Sequence, residues 1–191
     1  SLPLVHQPGE KWSYGQSTDV LGRLVEVVSG MSFDDFLRDR IFTPLGMKDT
    51  AFFPPEDKEA RLAAVYEWRE SEALRRLPDE PIRQGHLEYS TTFPFKGPRT
   101  FFSGGGGLVS SAPDYYRFAQ MLRNGGELDT VRILKPETVA LMRENQIGDL
   151  DMGPDPTRFG LGLSIRTVSD HEGGRGTYGW SGFFHTTFWI D

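Results

Sequence analysis

Cysteine is absent from the 191 residues, which removes disulfides, thiolate metal sites and a cysteine nucleophile together. The absence leaves the compartment open, because a cysteine-free chain is tolerated on either side of a membrane. Long apolar runs are missing too: the longest spans five residues, Leu62 to Tyr66, against the roughly 20 that a bilayer span requires. No membrane span is expected. Basic residues are the minority, 21 against 27 acidic ones for a net charge of −6, and they are scattered. A binder of phosphate backbones carries the opposite footprint, so nucleic acid is not an expected partner.

Metal and nucleotide signatures are lacking as well. The histidines stand at His6, His86, His171 and His185, none spaced i and i+4, and His171-Glu172 continues into Gly-Gly-Arg-Gly, so there is no H-E-x-x-H helix. Gly104 to Gly107 form a glycine run, but Leu-Val-Ser-Ser follows where a phosphate cradle needs Lys and then Ser or Thr. The run reads instead as a place where backbones pass closely. No metal and no cofactor is expected. The chain opens on Ser1 with neither a basic n-region nor an apolar stretch, and is read as cut from something longer.

What is present suffices for a packed core: 37% of residues are hydrophobic and 13% aromatic. Val20, Leu21, Leu24, Val25 and Val28 recur at three- and four-residue steps before Gly30, which predicts a helix over 18–29. Ser32 and Asp35 make a capping-box pair, and Phe33, Phe36, Leu37 and Ile41 share a stripe that predicts a second helix closing near Phe42, before Pro44. From Phe53 to Arg99 prolines and charges alternate without a sustained period, apart from a short helix at Glu67 to Arg76. A loop of that length is usually a lid or a binding wall. Ser111 caps a helix whose apolar face carries Tyr115, Phe118, Ala119 and Leu122, and Pro136 opens another. Two strand-like segments close the chain, Phe159 to Val168 and Thr177 to Ile190. Helices first and a hairpin last make an α+β arrangement. Trp12, Phe33, Phe36 and Phe118 are expected in the core.

Two nucleophile templates fail. No serine sits in G-x-S-x-G; Ser181 comes nearest, with Gly179 before it but Phe183 after it. No serine precedes a lysine at S-x-x-K spacing either, since Pro8, Leu45, Pro55, Phe93 and Arg132 occupy the required positions.

The segment from Pro8 to Ser17, Pro-Gly-Glu-Lys-Trp-Ser-Tyr-Gly-Gln-Ser, running on through Asp19-Val20-Leu21-Gly22 to Val28-Ser29-Gly30, nevertheless resembles the second-motif region of the serine β-lactamase-like hydrolases. It is close to class C β-lactamases and closest to family VIII carboxylesterases. Ile41 to Thr50, Gly105 to Ala112, Phe159-Gly160-Leu161-Gly162 and Gly179-Trp180-Ser181-Gly182 agree in family order. The resemblance implies a β-lactamase/penicillin-binding-protein-like (transpeptidase-like) fold, present in part. Residues 1–158 would be its helical region, including the long loop 53–99, and 159–191 a β-hairpin of its antiparallel sheet domain. It also implies a serine on S-x-x-K, placed upstream of Ser1, that attacks an ester or lactam carbonyl.

Carried over residue by residue, the resemblance makes Tyr14 the proton-moving tyrosine and Trp180-Ser181-Gly182 the third motif, with the amide of Phe183 as oxyanion donor. Free tyrosine titrates near ~10, so bringing one to about 7 takes roughly 4 kcal/mol, which a lysine ammonium beside it can supply. A strand edge offers a fixed N–H for the oxyanion, worth on the order of a hundredfold in rate. Gln16 replaces the asparagine of the lactamase motif, and Trp180 replaces the basic residue or histidine that meets a lactam carboxylate. Both favour an esterase over a lactamase or D-alanyl carboxypeptidase. Gln16, Phe184 and His185 are substrate-pocket candidates, although a histidine such as His185 is more commonly structural. Phe183, Phe184 and His185 replace small residues and reshape the acyl pocket.

The competing reading is a binding derivative of the fold that has lost its nucleophile. The expected partner is a small-molecule ester or lactam. The aromatic-rich edge of Thr177 to Ile190 invites self-association or a companion polypeptide.

Overall fold

The computed structural model describes residues 3–69, 72–85, 87–170 and 173–191. Helix α1 (Ser17–Ser29) forms on the three- and four-residue apolar spacing and stops at Gly30. Its periodic face is not covered: Val20, Leu21, Leu24 and Val28 are all exposed. The one buried residue of the helix is Gly22, which lies against Gly104.

Helix α2 (Phe33–Leu37) starts from Ser32, whose hydroxyl oxygen accepts the Asp35 amide at 3.1 Å and whose proton goes to the Asp35 carboxylate at 2.7 Å. The helix does not close at Phe42. It widens into a π turn, Arg38–Phe42, and continues as a last α turn, α3 (Thr43–Leu45). Pro44 sits at one of the first two positions of that last turn, directly after the π widening.

The excursion from residue 53 to 99 holds a 3-10 turn (Glu56–Arg61), two hairpins and a short helix. Strands β1 (Tyr66–Arg69) and β2 (Glu72–Arg76) replace the helix expected at Glu67 to Arg76. Tyr66-Glu67-Trp68-Arg69 alternates with period two, and the antiparallel register sets Glu67 opposite Arg75, where the two form an ion pair. Strands β3 (Ile82–Gln84) and β4 (Leu87–Tyr89) make the second hairpin, followed by α4 (Phe93–Lys96). At the neck, Ala51 and Val109 exchange backbone hydrogen bonds of 3.1 and 3.0 Å.

Helix α5 (Ala112–Arg123) begins at Ser111, which accepts the Asp114 amide at 3.4 Å. The buried Asp114 carboxylate accepts the Asp49 amide at 2.6 Å and the Thr50 hydroxyl at 2.9 Å, tying α5 to the segment after α3. Asp114→Ala leaves a backbone donor without its charged acceptor and is expected to cost about 2 kcal/mol. A shift of the urea midpoint corresponding to less than about 0.5 kcal/mol would show the tie to be dispensable. The Asp49 side chain is gripped by Arg61 and Lys58, which hold its carboxyl far below the usual carboxylate range. That grip acts fully above the unfolded carboxylate value of about 3.9 and weakens as pH falls toward the depressed folded value.

Beyond α5 come a small hairpin, β5 (Glu127–Leu128) with β6 (Val131–Arg132), and helix α6 (Pro136–Met142). The chain ends in a four-stranded antiparallel sheet of order β10-β9-β8-β7 rather than in one hairpin. Its strands are β7 (Thr157–Phe159), β8 (Ser164–Arg166), β9 (Tyr178–Ser181) and β10 (Thr187–Ile190). Each expected strand segment folds back once. The first turns at Gly160–Leu163, where Gly162 takes φ +82° and the Gly160 amide donates to the Leu163 carbonyl at 2.8 Å. The second turns at Gly182–His185, with His185 at φ +60°.

One sheet face carries Ile165, Tyr178 and Ile190, which pack with Leu45, Met121, Leu122 and Val139 into the core. Phe118 packs against this core, while Phe33 joins Phe52 and Phe102 beside it. Phe33, Phe36 and Phe118 are half-buried, so their expected core role is partial. Strand β10 forms an edge of the sheet and exposes Trp189.

Candidate active site

Tyr14 lies on the irregular segment before α1, and several bonds hold that segment in place. His6 Nε2 meets the Ser13 hydroxyl at 2.8 Å. The Gln16 carbonyl accepts the amides of Asp19 and Val20 at 3.1 and 3.2 Å and so starts the helix. In the first turn of α1 the Asp19 carboxylate accepts the Ser103 hydroxyl and, at 3.3 Å, the Gly105 amide. Gly104 passes so close to the helix that a Cβ on it would stand 1.9 Å from the Thr18 carbonyl oxygen. The glycine run is thus a close backbone crossing, and it fastens the tyrosine segment to the scaffold.

Four aromatic rings assemble at this point. Tyr14 stacks on Trp180 of β9 with centroids 6.0 Å apart and planes 19° from parallel. Phe159 of β7 stands edge-on to Trp180 at 5.5 Å, and Trp12 contacts Phe159 at 5.7 Å. Trp12, expected in the core, is only half-buried and serves as a wall here, its ring meeting Tyr14 and Phe159 rather than the buried cluster. An open concavity of about 780 Å³ is lined by Trp12, Tyr14, Ser164, Trp180 and Ser181 among others. Tyr14 is 73% exposed.

The third motif runs off the end of β9. The Ser181 and Thr187 hydroxyls meet at 3.2 Å across the strands. The Gly182 amide donates to the Thr186 carbonyl at 2.7 Å and the His185 amide to the Gly182 carbonyl at 3.0 Å, which closes the turn. The Phe183 amide takes no part in these bonds. Its ring and that of Phe184 meet Tyr89 of β4 at 5.0 and 6.1 Å, both edge to face.

Tyr14, Trp180 and Ser181 therefore share one concavity, and Gly182, Phe183, Phe184 and His185 form the turn beside it. Gln16 caps α1 and is not among the lining residues. Sequence reasoning gave no role to Phe159, although it heads a motif, nor to Tyr89, which carries no local signal. Tyr178 shares a strand face with Trp180, but its chemistry differs. It is buried, its hydroxyl has no hydrogen-bond partner among the described residues, and burial pushes its pKa up while the Arg143 guanidinium over its ring works the other way. Tyr178 is a neutral core group.

Among the described residues no group of three or more metal-ligating side chains comes together, and no helix is long and apolar enough to cross a membrane. His86, His171 and Glu172, weighed above as ligands, lie outside the described residues.

Comparison with known proteins identifies the family. The family model described as Beta-lactamase matches residues 1–191. Protein Rv1367c of Mycobacterium tuberculosis is 34% identical over 205 residues, covering 100% of this chain and 48% of the relative. A lovastatin esterase of Penicillium rubens is 31% identical over 217 residues, covering 100% of this chain and 50% of its own length. Among solved structures, simvastatin synthase (LovD) from Aspergillus terreus superposes with a TM-score of 0.78 at 26% identity, over 100% of this chain and 48% of that one. The chain spans about half the length of the curated relatives it matches.

Proposed function

The chain belongs to the Beta-lactamase family, and from that premise we propose that it is part of a serine hydrolase that cleaves carboxylic esters through an acyl-enzyme. The nucleophilic serine and its lysine lie upstream of this chain in the same polypeptide. The observation that carries the reading is the stack of Tyr14 on Trp180, which joins the second and third motifs from opposite ends of the sequence at one concavity. A hydroxyl placed at such a point is suited to pass a proton to a group within hydrogen-bond reach.

In this scheme the serine oxygen bonds to the ester carbonyl carbon and its proton passes by way of Tyr14 to the departing alcohol. The Phe183 amide donates to the carbonyl oxygen while it carries negative charge. The C–O bond to the alcohol breaks, and water then releases the acid and restores the serine. Trp180 offers a neutral ring where a lactam carboxylate calls for a cation, which supports ester over lactam chemistry. One relative bears the name of an esterase. The free edge of β10 is then where another polypeptide segment continues the sheet.

The test is chemical labelling. A fluorophosphonate reacts with an activated serine, and peptide mapping of the full-length polypeptide is expected to place the adduct outside residues 1–191. The 191-residue chain by itself is expected to hydrolyse neither p-nitrophenyl acetate nor butyrate above the buffer rate. A label on Ser13 or Ser181, or turnover by the isolated chain that survives Tyr14→Phe, would overturn the assignment.

A further inference from the structure

The second hairpin of the excursion has two unlike faces. Its register sets Ile82 opposite Tyr89 and Gln84 opposite Leu87, so one side carries three apolar residues and Gln84. The other side carries the ion pair of Arg83 and Glu88. The side with Tyr89 meets the turn beside the concavity, since the Tyr89 ring lies edge to face with both Phe183 and Phe184, which contact each other at 5.2 Å and 72°. This packing does not consume the aromatic surface. Phe183 remains 61% exposed and Phe184 39% exposed, directly after Ser181-Gly182.

We infer that Tyr89, Phe183 and Phe184 form the contact surface for the acyl part of the substrate, and that the site takes esters whose acyl chain ends in an aryl group. The inference rests on the ester reading above and adds its substrate class. A carbonyl oxygen held about 3 Å from the Phe183 amide places the carbonyl carbon about 4 Å from that nitrogen, next to the same residue's side chain. The two substituents of the carbonyl then point apart. Tyr14, which must reach the leaving oxygen, stands on the Trp180 side, so the acyl chain extends toward the turn and its rings. Three rings already in edge-to-face contact offer an aryl group further faces of the same geometry. A short acyl chain such as acetate stops before reaching them.

The test measures kcat/KM of the full-length polypeptide for p-nitrophenyl 4-phenylbutyrate and p-nitrophenyl acetate. Wild type is expected to favour the aryl ester by at least about tenfold, within what apolar pockets discriminate. Tyr89→Ala and Phe184→Ala are each expected to lower that ratio about tenfold, and Tyr89→Phe, which keeps the ring, to hold it within about threefold. A ratio unmoved by both alanine variants overturns the inference while leaving the ester reading intact. If no ester is turned over at all, the ester reading fails and the surface is read by calorimetry with the unreactive 4-phenylbutyramide. At least about tenfold weaker binding by the folded Tyr89→Ala variant then supports the surface, and equal or absent binding overturns it.

Discussion

Tyr14→Phe in the full-length polypeptide is expected to lower kcat for p-nitrophenyl butyrate by about a hundredfold or more, with thermal stability unchanged. Proton transfer by a positioned group contributes about 10²–10⁴. The substitution removes the hydroxyl alone. Phenylalanine keeps the ring that stacks on Trp180 and tilts against Trp12 at 6.2 Å, and at so exposed a position the change in stability should stay within about 0.5 kcal/mol. A loss of rate with an unmoved melting temperature therefore reports chemistry. A drop of less than about threefold would make the tyrosine a wall of the concavity and no more.

Gly104→Ala carries the largest expected effect on stability, about 3 kcal/mol, read from the urea midpoint. The new methyl would stand 1.9 Å from the Thr18 carbonyl oxygen and 3.2 Å from the Gly22 amide nitrogen. Neither backbone atom can swing aside as a side chain can. The first turn of α1 would have to lift away from the glycine run, stretching the bonds from Asp19 to Ser103 and Gly105. Gly106→Ala is the internal control, because a methyl there meets nothing within 4 Å. It should be neutral or slightly stabilising, by about 0.5 kcal/mol through the unfolded chain. Equal losses from both variants would mean that the crossing is not what requires glycine.

The parts that the sequence makes legible are those whose signals are local. The apolar steps of α1, the Ser32 and Ser111 caps and the close crossing at the glycine run all follow from spacing and residue type. The resemblance supplied the fold and the two motifs that meet at Tyr14 and Trp180. What it could not supply depends on partners far along the chain. The alternation at Tyr66 to Arg69 is too short to stand out among charges, and only the cross-strand pairing with Arg75 makes it a strand. Trp12 looks like a core residue by hydrophobicity, yet its neighbours are Tyr14 and Phe159 at the rim. Tyr89 gains its meaning solely from Phe183 and Phe184, which lie in a distant turn. The uncovered stripe of α1 has the same cause, because periodicity announces a buried face without saying which element buries it.

The Ala51–Val109 neck bears on how such a protein diversifies. Just above it, Arg61 is pinned to Asp49 on one side and Phe93 packs against Phe53 on the other. The stretch between them, residues 62–92, leaves the scaffold and returns to it at fixed points, and Tyr89 lies within it while Tyr14 and Trp180 lie outside. Closing a loop whose ends are already anchored depends weakly on its length, with each doubling adding only about 0.6 kcal/mol. By this argument residues 62–92 form an exchangeable stretch. On the proposed reading, replacing them with a longer or shorter stretch would recast the surface offered to an acyl chain while Tyr14 and β9 stay where they are, so selectivity could vary at this position with little change to the proton-transfer site.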